Sequence, residues 1–460
     1  MALPSQRVTI RTMSHALDRF LEQYAFRHPV TGTRAGLRLH DHELSGWSRE
    51  AREDELDEFE ALTVALDEEH EEQPDDATLA TDRHALEAHL ARAAMDVRQL
   101  TFESAFFEDR NPRLWVDEVH DGIRSLLERV GAAGDPDRTM DDVASVAMRL
   151  HEVPRFLDDL PGAVIAAPAS WRESALSSIR DTRQALPPLI DRWTTQHDVD
   201  TESVTWLREA LETAHAALDR ASAAIASIPD PELGGSAISS EALGTLLTRG
   251  CFLATPTAVL LERATDEWQL LEPLLIERDA IVMLAEAPAH PLPAFATESP
   301  NRLGRLAALA RPTITDALLG AWLTDAWSAY LAGFCDGDGE LLPTELDDLP
   351  TEAIVARATH VVHALLDLRV HTGALPIEEA STSLQEMLGL SAMDAEAVVN
   401  ALSMAPGRAI HAWFGAHALH QTRHVLQARS VSDHAAFAVR AMQFGAIPAP
   451  LLSRLLLVTS

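Results

Sequence analysis

"SHALDRFLEQYAF", residues 14–26, sets Leu17, Phe20, Leu21 and Tyr24 three and four positions apart. That spacing is one face of an α-helix, where i, i+3, i+4 and i+7 share a side. The pattern returns in "DRHALEAHLARAAMDVRQL" (82–100) and in "SVTWLREALETAHAALDRASAAIA" (203–226). No stretch alternates apolar and polar residues as a half-buried strand would. Prolines fall where the periodic stretches give out, as in "EEQPDD", "DRNPRL", "IPDPEL", "APAHPLP" and "LARPTI". The expected fold is all-α, with two helical lobes around a cleft. The first lobe is expected over residues 1–280 and the second over 281–460, with the proline-rich run marking the division.

Composition narrows the partners. The 460 residues carry 37 basic and 71 acidic side chains, a formal net charge of −34. Such a surface repels phosphate backbones and anionic lipid, so nucleic acid and membrane are not expected partners. Every basic residue is Arg, since Lys is absent. Drift in a GC-rich genome accounts for this more simply than selection against a reactive amine. The two cysteines, Cys251 and Cys335, exclude a disulfide framework and a thiolate-only metal site. The opening residues "MALPSQRVTIRTMSHALDRF" lack the apolar core of a signal peptide, and no later stretch is long enough to span a bilayer. A cytoplasmic location is expected.

Four stretches invite a metal reading, and composition weighs against each. "LDEEHEEQPDD" (66–76) is an acidic run that reads as a solvated loop or helix end. "LHEVPRFL" (150–157) has His151 and Glu152 but lacks the second imidazole of a zinc helix, and Pro154 marks a helix boundary. "FCDGDGELLPTEL" (334–346) has the acidic spacing of a calcium loop, but Phe334 stands where the first carboxylate is needed. It reads as an acidic turn. "HAWFGAHALHQTRHVL" (411–426) lines up His417, His420 and His424 on one helical face, beside Trp413, Phe414 and Leu419. With no local carboxylate, these histidines read as packed or partly buried side chains. No phosphate loop, nucleophile elbow or dinucleotide fingerprint occurs.

Taken in order, several blocks resemble a known family. They are "FLEQYAFRHPVTGTRAGLRLHDHELSGWS" (20–48), with Pro29, Thr33, Gly36, His40 and Asp41, then "RNPRLWVDEV" (110–119) and "RLHEVPRFLDDL" (149–160). "LLDLRVHTGALPIEEA" (365–380), "APGRAIHAWFGAHALHQTR" (405–423) and "FGAIPAPLL" (444–452) follow. Together they resemble the bacterial family called domain of unknown function 885, whose members look like helical zinc peptidases. The family's catalytic segment reads His-Glu-x-x-Pro-Gly-His-His-x-Gln, with a Glu-Gly-Trp-x-x-Tyr-x-Glu helix after it. Here "AEAPAHPLP" (285–293) is similar but one residue shorter. Ala285 replaces the first His, Glu286, Pro288 and His290 are kept, and Pro291 replaces the second His. In "TDAWSAYLA" (324–332), Asp325 replaces the first Glu, Trp327 and Tyr330 are kept, and Ala332 replaces the last Glu.

The resemblance implies a metallopeptidase-like fold whose zinc site has eroded, so no metal and no cofactor is expected. It places Glu286, His290, Asp325, Asp367 and His371 as candidate acid–base residues, and Trp327, Tyr330 and Trp413 as candidate substrate-binding residues. The expected partner is a small molecule or peptide in the cleft. A catalytically dead scaffold and a surviving metal-dependent hydrolase are the alternatives.

Overall fold

The computed structural model describes residues 15–69, 74–104, 106–129, 136–231, 237–280, 325–336, 339–429, 434–445 and 447–459. The described residues are helical throughout, apart from turns and one isolated antiparallel bridge, Cys335 to Leu341. The all-α expectation therefore holds, and the reason is visible helix by helix. Asp200 caps Thr201–Ser227 by accepting from the amides of Glu202 and Ser203. A cap of this kind contributes about 1 kcal/mol. The helix then buries Leu207, Ala210, Leu211, Ala214, Ala217, Leu218, Ala221 and Ile225, one stripe at three- and four-residue spacing, against Pro136–Asp158.

Pro154 does not end its helix. Pro136–Asp158 continues through it, contrary to the boundary expected there. Leu150, Val153, Phe156 and Leu157 all lie in the core on either side of it. Burying four such side chains stabilises by several kcal/mol, more than the ~3 kcal/mol that an interior proline costs. Pro187, Pro188 and Pro273 likewise sit inside helices.

In the second half of the chain, Thr351–His371 packs between Thr257–Glu277 and Arg408–Ala428, and the latter packs on Ala449–Val458. Gly415 makes one crossing possible, because a Cβ there would stand 2.7 Å from Ala326 Cβ and 2.9 Å from Ala449 Cβ. One buried apolar cluster runs from Phe106 and Trp171 to Trp413, and another joins Leu79, Leu86 and Leu90 to Leu451, Leu452 and Leu455. Both cores cross the expected division at residue 280. Among the described residues no helix is long and apolar enough to cross a membrane.

The segments that resemble family blocks near the start of the chain meet at one buried arginine. Arg149 donates to Gly122 O (2.9 Å), Thr33 Oγ1 (3.0 Å) and His40 O (3.2 Å), and Thr33 Oγ1 donates to Asp41 Oδ1 (2.8 Å). Their role here is to lock the opening helices onto 136–158.

Candidate functional site

Asp367 is fully buried on the Thr351–His371 helix. Its Oδ1 accepts from Gly407 N (2.9 Å), and its Oδ2 accepts from Ala409 N (3.1 Å) and Ile410 N (3.3 Å). It thus caps the Arg408–Ala428 helix from outside that helix. Gly407 takes φ +80°, a left-handed value that costs glycine least, to aim its amide there. His371 lies one turn on, with Nε2 3.6 Å from Asp367 Oδ1, and its Nδ1 accepts from Ile238 N (3.2 Å). Burial pushes the Asp367 carboxyl up to about 7 against the pull of the three amides. Burial also draws His371 down to about 4.

Asp325 meets the same helix start by another route. Arg408 Nε donates to its Oδ2 (2.6 Å) and Arg408 Nη2 to its Oδ1 (3.2 Å), a two-pronged ion pair. Burial raises the Asp325 carboxyl and Arg408 opposes that. Asp325 and Asp367 are therefore both bound at residues 407–410, while His371 reaches Asp367 and Ile238. Both carboxylates are already engaged there, one by backbone amides and one by a guanidinium. Glu286 and His290 lie outside the described residues.

The three candidate aromatic residues do not share a wall. Trp327 stands edge-on to Tyr330, with centroids 5.6 Å apart, and both contact Phe437. The Tyr330 hydroxyl accepts from Arg423 (3.0 Å). Trp413 belongs to the other apolar cluster and donates from Nε1 to Glu267 Oε2 (2.7 Å).

That last bond leads to a site the sequence did not reveal. Glu267, on Thr257–Glu277, accepts at Oε1 from Arg357 Nη2 (2.8 Å) and Nε (3.2 Å). At Oε2 it accepts from Trp413 and from His417 Nε2 (2.8 Å). Burial alone would raise its carboxyl, but His417 and Arg357 overcome this and hold it near 2. Near this ionised group burial keeps the His360 imidazole uncharged, down at about 4, although the Glu267 charge opposes the shift. Chemically, Glu267 and His417 form a carboxylate–imidazole pair. With Nε2–H committed to Glu267, the Nδ1 lone pair is the ring's basic position.

A catalytic zinc wants three protein ligands and an open position. The described residues of the resembling segments do not fit that demand, because Asp325 is spent on Arg408. Among the described residues no group of three or more His, Cys, Asp and Glu side chains is placed to hold a metal. The acidic turn after Phe334 is closed by protein groups. Asp336 Oδ1 accepts from Glu340 N (2.8 Å), and Arg423 Nη1 donates to Gly339 O (2.6 Å).

No protein-family model matches the chain, and no curated protein matches it significantly. Solved structures do match. A "putative lipoprotein of unknown function" from Shewanella oneidensis is 12% identical with a TM-score of 0.64, over 96% of this chain and 99% of that one. A "putative lipoprotein" from Colwellia psychrerythraea is 13% identical with a TM-score of 0.64, over 96% and 97%. At such identities the likeness establishes a shared helical fold across nearly the whole chain.

Proposed function

We propose that this chain is a metallopeptidase-like helical protein, similar to the family of domain of unknown function 885, that works without catalytic zinc. It binds a small molecule or peptide against the polar wall around Glu267. The observation that carries this reading is the Glu267–His417 pair at 2.8 Å. A carboxylate that fixes one imidazole nitrogen leaves the other as a proton acceptor, the arrangement metal-free acid–base chemistry uses. Trp413 and Arg357 bind the same carboxylate, which fixes the acid of the pair in place.

A thermal-shift screen of dipeptides and small polar metabolites tests the proposal. Hits are expected to stabilise the wild-type chain and to lose their effect in a folded His417→Ala variant. Hits that shift both proteins equally would place binding elsewhere. Elemental analysis separates the surviving-hydrolase alternative, which requires one zinc per chain that disappears in His290→Ala.

One observation favours the scaffold reading for part of the molecule. Both oxygens of Asp367 are bound to backbone amides, and His371 Nδ1 is bound to Ile238. The proposed location is the cytoplasm. The descriptions of the two structural neighbours point instead to the cell envelope. Cell fractionation distinguishes the two locations.

A further inference from the structure

The Arg408–Ala428 helix carries another feature that the Glu267 cluster leaves unused. His420 and His424 are four residues apart, so their rings leave the same face one turn apart. Their ring centroids are 4.5 Å apart with the planes at 74°. Phe334 braces His420 from the side, 4.4 Å between centroids. Nδ1 of His420 and Nε2 of His424 are both buried and make no hydrogen bond. A buried polar atom left unpaired costs about 1–3 kcal/mol, and two on neighbouring rings call for a partner.

Two imidazoles at this helical spacing can chelate one ion. Burial keeps His420 uncharged at neutral pH, aided by His424, His417 and the guanidiniums of Arg357 and Arg423. Those guanidiniums do not leave a bare positive field. Arg357 is matched by Glu267 at 2.8 Å and Arg423 by Glu340 at 3.1 Å. Nitrogen donors select borderline transition-metal ions over magnesium or calcium.

We propose that His420 and His424 form a two-imidazole site for a borderline divalent ion, Zn²⁺ or Cu²⁺. No third protein ligand converges on the pair among the described residues, so the ion's remaining ligands would be waters that enter with it. This site is independent of the Glu267–His417 reading and of the segment around His290.

The test uses the full chain, stripped by a chelator and titrated with one equivalent of Cu²⁺. Electron paramagnetic resonance is expected to show hyperfine coupling from two imidazole nitrogens, with Zn²⁺ displacing the signal. His420→Ala and His424→Ala should each weaken binding about tenfold or more, while His290→Ala leaves it unchanged. The chain has 20 histidines, so the variants are essential for assignment. A signal without two coupled nitrogens, or binding unaltered in the double variant, overturns the proposal. If either variant fails to fold, the wild-type chain still decides. One equivalent of Zn²⁺ should protect His420 and His424 from diethylpyrocarbonate, as mapped by mass spectrometry. Equal labelling with and without zinc overturns it.

Discussion

Glu267 makes four hydrogen bonds with three side chains, and its charge balances Arg357. Removing the charge leaves Arg357 uncompensated in a nearly dry place. Glu267→Gln is therefore expected to lower stability by about 3–5 kcal/mol, read from urea unfolding. Asp367 behaves in the opposite sense. Its folded pKa of about 7 lies above the carboxylate's ordinary value. The folded state thus holds a proton that the unfolded chain has already released. Its contribution is fully present below about pH 4 and is lost as pH rises through 7. Asp367→Asn should flatten the stability profile over that window, and an unchanged slope would contradict the assignment. These two acids also mark the reach of the sequence. Asp367 was legible because it sits in a block resembling a known family. Glu267 was not, because "ATDEWQLLEP" has no motif and its partners His417 and Arg357 lie 150 and 90 positions away.

At the level of helices, periodicity marks which segments coil, and packing decides where they stop. Pro154 shows the limit. A proline marks a boundary only when the flanking side chains gain little from continuing, and here Val153 and Phe156 are buried on both sides of it. Gly415 is a comparable case that no pattern announces. Its missing Cβ admits Ala326 and Ala449 at distances no side chain would permit. Gly415→Ala should force the crossing apart and cost about 1–3 kcal/mol, despite alanine's better helix propensity. A variant as stable as wild type, by thermal melting, would show that the crossing relaxes freely.

Over the whole molecule, charge and buried histidines dominate the response to solvent. His360, His363, His371 and His420 are all held neutral by burial, near 4, 3, 4 and 3. The unfolded chain takes up those protons near pH 6.5, while the folded chain does not. Their stabilisation is full above that pH and is lost as pH falls toward 4. Acid titration by circular dichroism should therefore show cooperative unfolding beginning below pH 6.5, before the bulk of the carboxylates protonate. The net charge of −34 acts separately. Salt screens its self-repulsion over a Debye length of roughly 10 Å at 0.1 M, so the melting temperature should rise with sodium chloride at neutral pH. A steady fall would contradict this. The acidity was plain in composition, whereas the neutral histidines needed coordinates, since the sequence does not show which imidazoles are buried.

The pairing of early and late helices has a consequence for how this chain is made. Leu79, Leu86 and Leu90 share one apolar cluster with Leu451, Leu452 and Leu455, and Arg454 reaches Asp76 across 378 positions. A ribosome adding about 5–20 residues each second finishes the early face tens of seconds before its cover exists. During that interval the nascent chain exposes leucines that cannot yet be buried, a surface that holding chaperones recognise. Chains stalled before the Ala449–Val458 helix should accordingly be captured or degraded.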